Sequence, residues 1–413
     1  MPKSICLFFK VHQPFQLKRY QYTDIEVSHL YEDAEADQAT LNRLADESYL
    51  PANEVILDLI NKNAGRFKVS YSISGTALEL FVKYRPDLIR SFKELVDTGF
   101  VELLGETYYN SLSYLYSRNE FVRQIEKHST LVERLFGLRP AIFRNTELIY
   151  DNQLAACIHE LGFKGILCEG IERILGDRTA NRIYSAPGIE GLAIFLRNMS
   201  LSNDIAFHFD NASWNEFPLT ADKFAGWLHA HPEGTELINL FMDYETFGIH
   251  KKISTGIFEF LKHFPKEVLA NPEYQFELPG AAAAAEVGVL PVYDVPQMIS
   301  WGNKSQLDAA WSQNVMQNNT LKKIYSLEKI VRSSGSLAAI DTWGKLQSAD
   351  FFYYMMDNHA RGDRYKYVSP FSSAEEIYRY YTNIVVDFEI TLIRKLIVDN
   401  RNLDHKELEI VSQ

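Results

Sequence analysis

Two acidic residues stand at the ends of hydrophobic runs. Glu147 closes Phe143-Arg144-Asn145-Thr146-Glu147-Leu148, and Asp243 breaks into Leu240-Phe241-Met242-Asp243-Tyr244-Glu245-Thr246-Phe247-Gly248. A carboxylate at the tip of a buried strand sits in a low-dielectric place and has to be paired or used. Two such groups suit the hydrolysis of a glycosidic bond with retention. That reaction needs a nucleophilic carboxylate and a second carboxyl group that acts as acid and then as base, held roughly 5–5.5 Å apart, and no cofactor. A helix cap is the competing reading of either acid. A divalent-metal site is another, because His12, Glu147, Glu169, Asp243, Glu245 and His250 include the right ligand types. The residue after His12 argues against it: Gln13 is a neutral amide where a metal pocket would gain from a carboxylate. His and Gln together suit hydroxyl binding, so neither a metal nor a cofactor is expected.

The elements that must position these residues follow from periodicity. Strand-like runs cover 4–10, 67–73, 101–106, 141–147, 164–168, 192–197 and 236–243. Between them, 53–63, 77–98, 120–136, 152–161 and 221–230 carry apolar residues at three- and four-residue steps, the period of an amphipathic helix. Asn119 and Asp151 are N-cap candidates, and Gly137 and Gly162 mark helix ends. This alternation predicts an α/β fold whose parallel sheet is covered on its faces. His12, Glu106, Glu147, Glu169 and Asp243 all fall at or just past the carboxyl end of a strand. Only a closed sheet gathers every such end around one mouth, so the expected fold is an incomplete seven-stranded barrel. The barrel is expected over 1–270. After Phe264 the chain turns Pro-rich and then helical, and 271–413 reads as a mainly helical domain contributing to the active-site cleft. Its main helices are expected at 314–332, 350–358 and 374–398, with 341–346 a loop. The alanine run 281–285 carries no functional signal.

Composition narrows the partners. The 413 residues carry a formal net charge of -12, which disfavours nucleic acid and anionic membranes as partners and accommodates a neutral ligand. The 23 Tyr, 26 Phe and 5 Trp suit sugar stacking but equally suit a large core. Cys6, Cys157 and Cys168 lie in apolar runs without C-x-x-C spacing, as small buried hydrophobes do in a reducing compartment. No run has the length of a secretory core or a membrane span, so a cytoplasmic location is expected.

Four ordered segments carry a family resemblance: His12-Gln13-Pro14, residues 101–109, residues 143–150 and residues 241–248. In order and spacing they resemble the successive motifs of glycoside hydrolase family 57, in its short α-amylase branch. Downstream, 293–296, Ser300-Trp301, Ala310-Trp311, Met316-Gln317 and 351–355 resemble its fifth motif and helical region. The resemblance implies a seven-stranded barrel, a helical carboxyl-terminal domain and retaining action on α-1,4-linked glucans, without a required metal. By motif position it makes Glu147 the nucleophile and Asp243 the acid/base. His12, Gln13, Glu102, Glu106 and Trp301 become candidate sugar contacts, with Asp350 a further one. Tyr244 and Trp301 are candidate stacking platforms, against which stands their reading as core aromatics.

Some positions depart from the family pattern. Asn110 stands where His is expected, Ile249 replaces an acid before His250, and Phe351 follows Asp350 where His is usual. Residues 304–308 and Ser312-Gln313 also match poorly. Two alternatives stay open at this point. A 4-α-glucanotransferase or branching enzyme would use the same two carboxylates, and a glucan-binding relative would turn over little or nothing.

Overall fold

A computed structural model of the chain describes residues 3–231, 234–285, 289–301, 310–356 and 369–411, with side chains described to residue 398. The chain divides into two compact units. The first comprises Met1–Gln13, Gln38–Tyr108 and Val122–Gln306; the second comprises Pro14–Asp37, Tyr109–Phe121 and Leu307–Gln413.

Among the described residues, the first unit is built on nine strands: β1 (Lys3–Val11), β2 (Val69–Ile73), β3 (Val101–Leu103), β4 (Ile142–Arg144), β5 (Gly165–Glu169), β6 (Ile183–Ala186), β7 (Ile189–Arg197), β8 (Leu237–Asp243) and β9 (Tyr274–Phe276). Seven of them run in the order β3-β2-β1-β8-β7-β5-β4, all neighbours parallel. A parallel bridge between Gly105 and Phe143 joins the two ends of that row, so the sheet is a nearly closed seven-stranded barrel. The expected seven strands are the seven of the ring. Two strands went unforeseen: β6 pairs antiparallel with β7, and β9 lies beside the start of β1.

Register fixes what faces the interior, because side chains alternate along a strand. Cys6, Phe8, Leu104, Ile142, Leu167, Ala193, Phe195, Leu237 and Phe241 form one buried apolar cluster, joined by Ala282 from the helix Pro279–Ala285. Continuing each strand by steps of two brings Lys10, Ser72, Arg144, Glu169, Arg197 and Asp243 to the same interior face at the carboxyl end. The interior is therefore apolar below and charged above.

The β7–β8 seam is irregular. Its ladder holds a single pair, Arg197 with Asn239. Side chains supply the missing bonds: Asn239 Nδ2 donates to the Leu196 carbonyl (3.0 Å), Arg197 Nε to the Phe241 carbonyl (3.1 Å), and the Phe241 N–H to Ser202 Oγ (3.1 Å).

Helices cover the ring, with some boundaries corrected. The helix expected over 77–98 is two, Gly75–Tyr84 and Pro86–Asp97, because Pro86 has no N–H to continue the ladder and instead opens a new first turn. Arg118–Phe136 starts earlier than expected, and Ser117 rather than Asn119 caps it, accepting from the Glu120 N–H at 3.1 Å. Asp151 caps Asn152–Glu160 as expected, accepting from the Leu154 N–H at 2.8 Å. The Pro-rich turn region begins later than the sequence implies, since Pro265 lies inside the helix Ile257–Leu269.

The second unit is mainly helical, with Val315–Ser326, Glu328–Ser333, Leu337–Lys345, Ala349–Tyr354 and Ala374–Val411. The loop expected at 341–346 belongs instead to the helix Leu337–Lys345. Ser336 Oγ caps it, and Trp343, fully buried, donates its indole N–H to the Ile324 carbonyl at 2.8 Å. Tertiary burial of one large ring there outweighs weak local periodicity. Among the described residues no helix is long and apolar enough to cross a membrane.

Candidate active site

The order of strands around the ring decides which acids face one another. β4 and β8 are three steps apart through β5 and β7, and four through β3, β2 and β1. Seven strands allow no greater separation. Glu147, just past β4, and Asp243, at the end of β8, therefore rise from opposite walls of the same mouth.

Glu147 is held by its backbone. It lies in the turn Thr146–Leu148 with φ 56° and ψ 23°, and Leu148 follows at φ 49°. Left-handed backbone at two consecutive residues that carry side chains costs on the order of 1–3 kcal/mol each, so surrounding contacts must impose it. They are visible. Asn145 Oδ1 accepts from the Thr146 N–H (2.9 Å), and the Thr146 hydroxyl is hydrogen-bonded to that of Thr107 (2.8 Å). The Trp301 N–H donates to the Glu147 carbonyl (2.8 Å), and Ile299 and Tyr150 exchange backbone bonds of 2.9 and 3.0 Å. Glu147 itself is 6% exposed and Trp301 partly buried.

Asp243 is held by regular strand and lies among charges. The register sets Lys10 directly beside it on β1, and Lys10 is almost fully buried. Two residues on, the buried carboxyl of Glu245 is pushed up to about 7, first by burial and then by the charge of Asp243, with Lys10 opposing. Tyr49 donates its hydroxyl to Glu245. Tyr49 ends a π-helical turn, Ala45–Tyr49, against which the turn after Asp243 packs closely. A Cβ at Gly248, whose φ is +111°, would meet the Glu47 carbonyl oxygen at 1.9 Å. Only glycine fits this approach.

The two remaining strand-end acids are satisfied by buried arginines. Glu106 accepts from Arg144 Nη1 (2.9 Å) and from Ser72 Oγ (2.8 Å), while its N–H donates to His128 Nδ1 (3.5 Å). Burial pushes His128 down, which suits the neutral ring that accepts there and donates from Nε2 to the Ile73 carbonyl (2.8 Å). Glu169 receives Arg197 Nη1 at 3.1 and 3.4 Å; burial still pushes its carboxyl up, against the pull of Arg197.

The other candidates separate. His12, partly exposed, follows β1 at the mouth with Nδ1 2.7 Å from Ser74 Oγ, and Gln13 beside it is buried. Glu106 lies at the mouth but is fully buried with both oxygens engaged. Glu102 is a correction. It sits on β3 at the level of Ser70 and Phe8, within the apolar part of the interior, and accepts from the Gly280 N–H at 2.8 Å. Two residues below the level of Ser72 and Lys10, it serves a helix start rather than the mouth. Tyr244 is a second correction: it is fully buried, stacks on Tyr49 at 6.1 Å between ring centres, and donates to Asn53 Oδ1 at 2.7 Å. Strand alternation turns it away from Asp243 into the aromatic core. Asp350 belongs to the second unit, where Ser348 Oγ (2.7 Å) and Asn110 Nδ2 (3.3 Å) donate to it. Asn110 occupies a left-handed position, φ 50°, that Asn tolerates, and Phe351 packs on Tyr381. Residues 304–308 lie outside the described residues.

Sequence reasoning missed Lys10, Arg144 and Arg197 as neighbours of the candidate site and weighed Glu245 only as a metal ligand. Their signal was present: three are cations on the inward face of strands that are otherwise apolar. Among the described residues, no group of three or more His, Cys, Asp or Glu is placed to hold a metal ion.

Comparison with known proteins agrees with this architecture. The family model described as Glycosyl hydrolase family 57 matches residues 6–287. A protein of Methanocaldococcus jannaschii named "Putative alpha-amylase" is 38% identical over 403 residues, covering 93% of this chain and 84% of that protein. Among solved structures, a branching enzyme from Thermococcus kodakaraensis superposes with a TM-score of 0.70 at 14% identity, covering 96% of this chain and 92% of its own. An α-amylase from Thermotoga maritima gives 0.61 at 14% identity, covering 96% and 94%. A 4-α-glucanotransferase from Thermococcus litoralis gives 0.65 at 13% identity, covering 94% and 60%.

Proposed function

The chain belongs to glycosyl hydrolase family 57, and from that premise we propose that it cleaves α-1,4-glucosidic bonds of an α-glucan by double displacement. The Glu147 carboxylate attacks the anomeric carbon while Asp243 gives its proton to the departing glycosidic oxygen, leaving a glucosyl ester on Glu147. The Asp243 carboxylate then takes a proton from water as that water attacks the same carbon. The ester bond breaks, Glu147 is freed, and the anomeric configuration is retained. One observation carries the reading: the two carboxylates stand on strands that face each other across the ring. Trp301, bonded to the Glu147 carbonyl, supports a stacking platform for the sugar ring, and His12 and Gln13 at the end of β1 support hydroxyl binding. The three free, buried thiols support a cytoplasmic setting.

The 38%-identical relative named as an α-amylase favours hydrolysis over transfer. Incubating the protein with maltoheptaose and with glycogen, alongside Glu147→Gln and Asp243→Asn variants, tests both steps. A steady release of short reducing sugars, abolished in both variants, is expected. Lengthened, branched or cyclic products abolished in the same variants would reassign the reaction to transfer. Wild-type turnover in either variant would overturn the assignment of residues.

A further inference from the structure

Arg197, the last residue of β7, is buried inside the barrel, 1% exposed, and all three nitrogens of its guanidinium are engaged. Nη1 donates to Glu169, Nη2 to Asn203 Oδ1 at 2.7 Å and Nε to the Phe241 carbonyl at 3.1 Å, while its central carbon lies 5.3 Å from the centre of the Trp301 ring. Two of these contacts lead by one short step to the proposed reacting groups. Phe241 precedes Asp243 by two residues on β8, and the Trp301 backbone N–H donates to the Glu147 carbonyl. At the seam where β7 and β8 share a single ladder pair, the bond to Phe241 stands in for missing backbone pairing. We propose that Arg197 is the positioning residue of the site, a single guanidinium that holds the strand end bearing Asp243 and the Trp301 ring beside Glu147 in one frame.

The chemistry of the side chain fits the task. A guanidinium is planar and permanently charged, donates along fixed directions in its plane and stacks on an aromatic face at the same time. Glu169 supplies the countercharge that lets it stay buried. A lysine at 197 would keep the charge opposite Glu169 but lose the fixed Nε donor and the flat face. The assignment rests on Glu147 and Asp243 as the reacting carboxyls and extends it to the group that aligns their supports.

The test is a double-mutant cycle of Arg197→Lys with Trp301→Phe, read in two ways. With maltoheptaose, Arg197→Lys is expected to lower kcat by about 100-fold, the scale of a misplacement near 1 Å. The double variant should be no slower than the slower single one, since the arginine acts through the ring it holds. Acrylamide quenching of the Trp301 emission, taken as the difference from Trp301→Phe, should rise at least about twofold in Arg197→Lys as the ring loosens. Effects on kcat that multiply, or a quenching constant unchanged from wild type, would overturn the proposal. Should Arg197→Lys fail to fold, Arg197→Met combined with Glu169→Gln leaves no buried charge unpaired and is read against the same outcomes. If the wild-type protein turns over no glucan, the hydrolase reading falls, while the quenching arm still decides the role of Arg197.

Discussion

The two strand ends that carry Glu147 and Asp243 are built on different principles. β4 contributes three strand residues and then breaks into a left-handed turn that neighbouring segments hold in place. β8 contributes seven strand residues and delivers Asp243 with extended backbone, φ -65° and ψ 137°, into a neighbourhood of charge. One carboxylate is fixed by backbone geometry and the other is surrounded by electrostatics. The division suits the roles proposed for them, since a nucleophile needs direction and an acid/base needs a controlled proton.

The most severe way to break this comparison is to remove the carboxylates one at a time. Glu147→Gln should lower kcat by on the order of 10⁴-fold or more with every substrate, because no other group makes the ester. Asp243→Asn should cost about 10²–10⁴-fold with maltoheptaose but far less with α-glucosyl fluoride, whose leaving group needs no proton. Equal losses of Asp243→Asn on both substrates would argue against its acid role.

The next test touches the turn after Asp243. Gly248→Ala forces a Cβ into the Glu47 carbonyl at a backbone angle that disfavours side chains, so a loss of about 3 kcal/mol or more in denaturant titration is expected. A variant as stable as wild type would mean that this contact gives way freely.

A gentler change sharpens the electrostatic side. Lys10→Met removes a cation that opposes the rise of the Glu245 carboxyl to about 7, so Glu245 should titrate above that value, and a limb of the pH–rate profile that follows its protonation should move to higher pH. The same substitution should leave the left-handed turn at Glu147 untouched. Superimposable profiles would contradict a role for Lys10 at that strand end.

The smallest effect lies below the mouth. Burial pushes the Glu102 carboxyl up to about 7 from an ordinary 4.5, so the folded protein holds more protons than the unfolded chain between those values. Stability from this group is therefore present below pH 4.5 and lost as pH rises through 7. Glu102→Gln keeps an acceptor for the Gly280 N–H and removes that loss. Its melting temperature should gain on wild type at pH 8 relative to pH 5, with activity retained; a constant difference across that range would contradict the shift.

Regular strand was the legible part of the sequence. All seven ring strands follow from apolar runs, and the expected closure from the four that carry an acid at or just past their ends, because the pattern of burial and the chemistry at those strand tips coincide. The candidate site was legible where a titratable residue ends or follows a strand, as the placement of His12, Glu147 and Asp243 at strand ends has it, and less so where position within a strand decides orientation. Glu102 and Tyr244 were candidates through the resemblance, and the register separates both from the mouth: Glu102 lies too low on its strand, and Tyr244 faces the core because one residue of register reverses a side chain. Lys10, Arg144 and Arg197 were hidden because an isolated cation in an apolar strand declares nothing until the register shows which acid it meets. The helix Leu337–Lys345 was missed because its local pattern is weak and burial of Trp343 decides it.

The central claim is that Glu147 forms the bond to sugar. Trapping with 5-fluoro-α-glucosyl fluoride, followed by peptide mass spectrometry, reads it directly. One glucosyl adduct is expected on the peptide containing Glu147, absent in Glu147→Gln. An adduct on Asp243, or initial maltoheptaose products of inverted anomeric configuration, would contradict it.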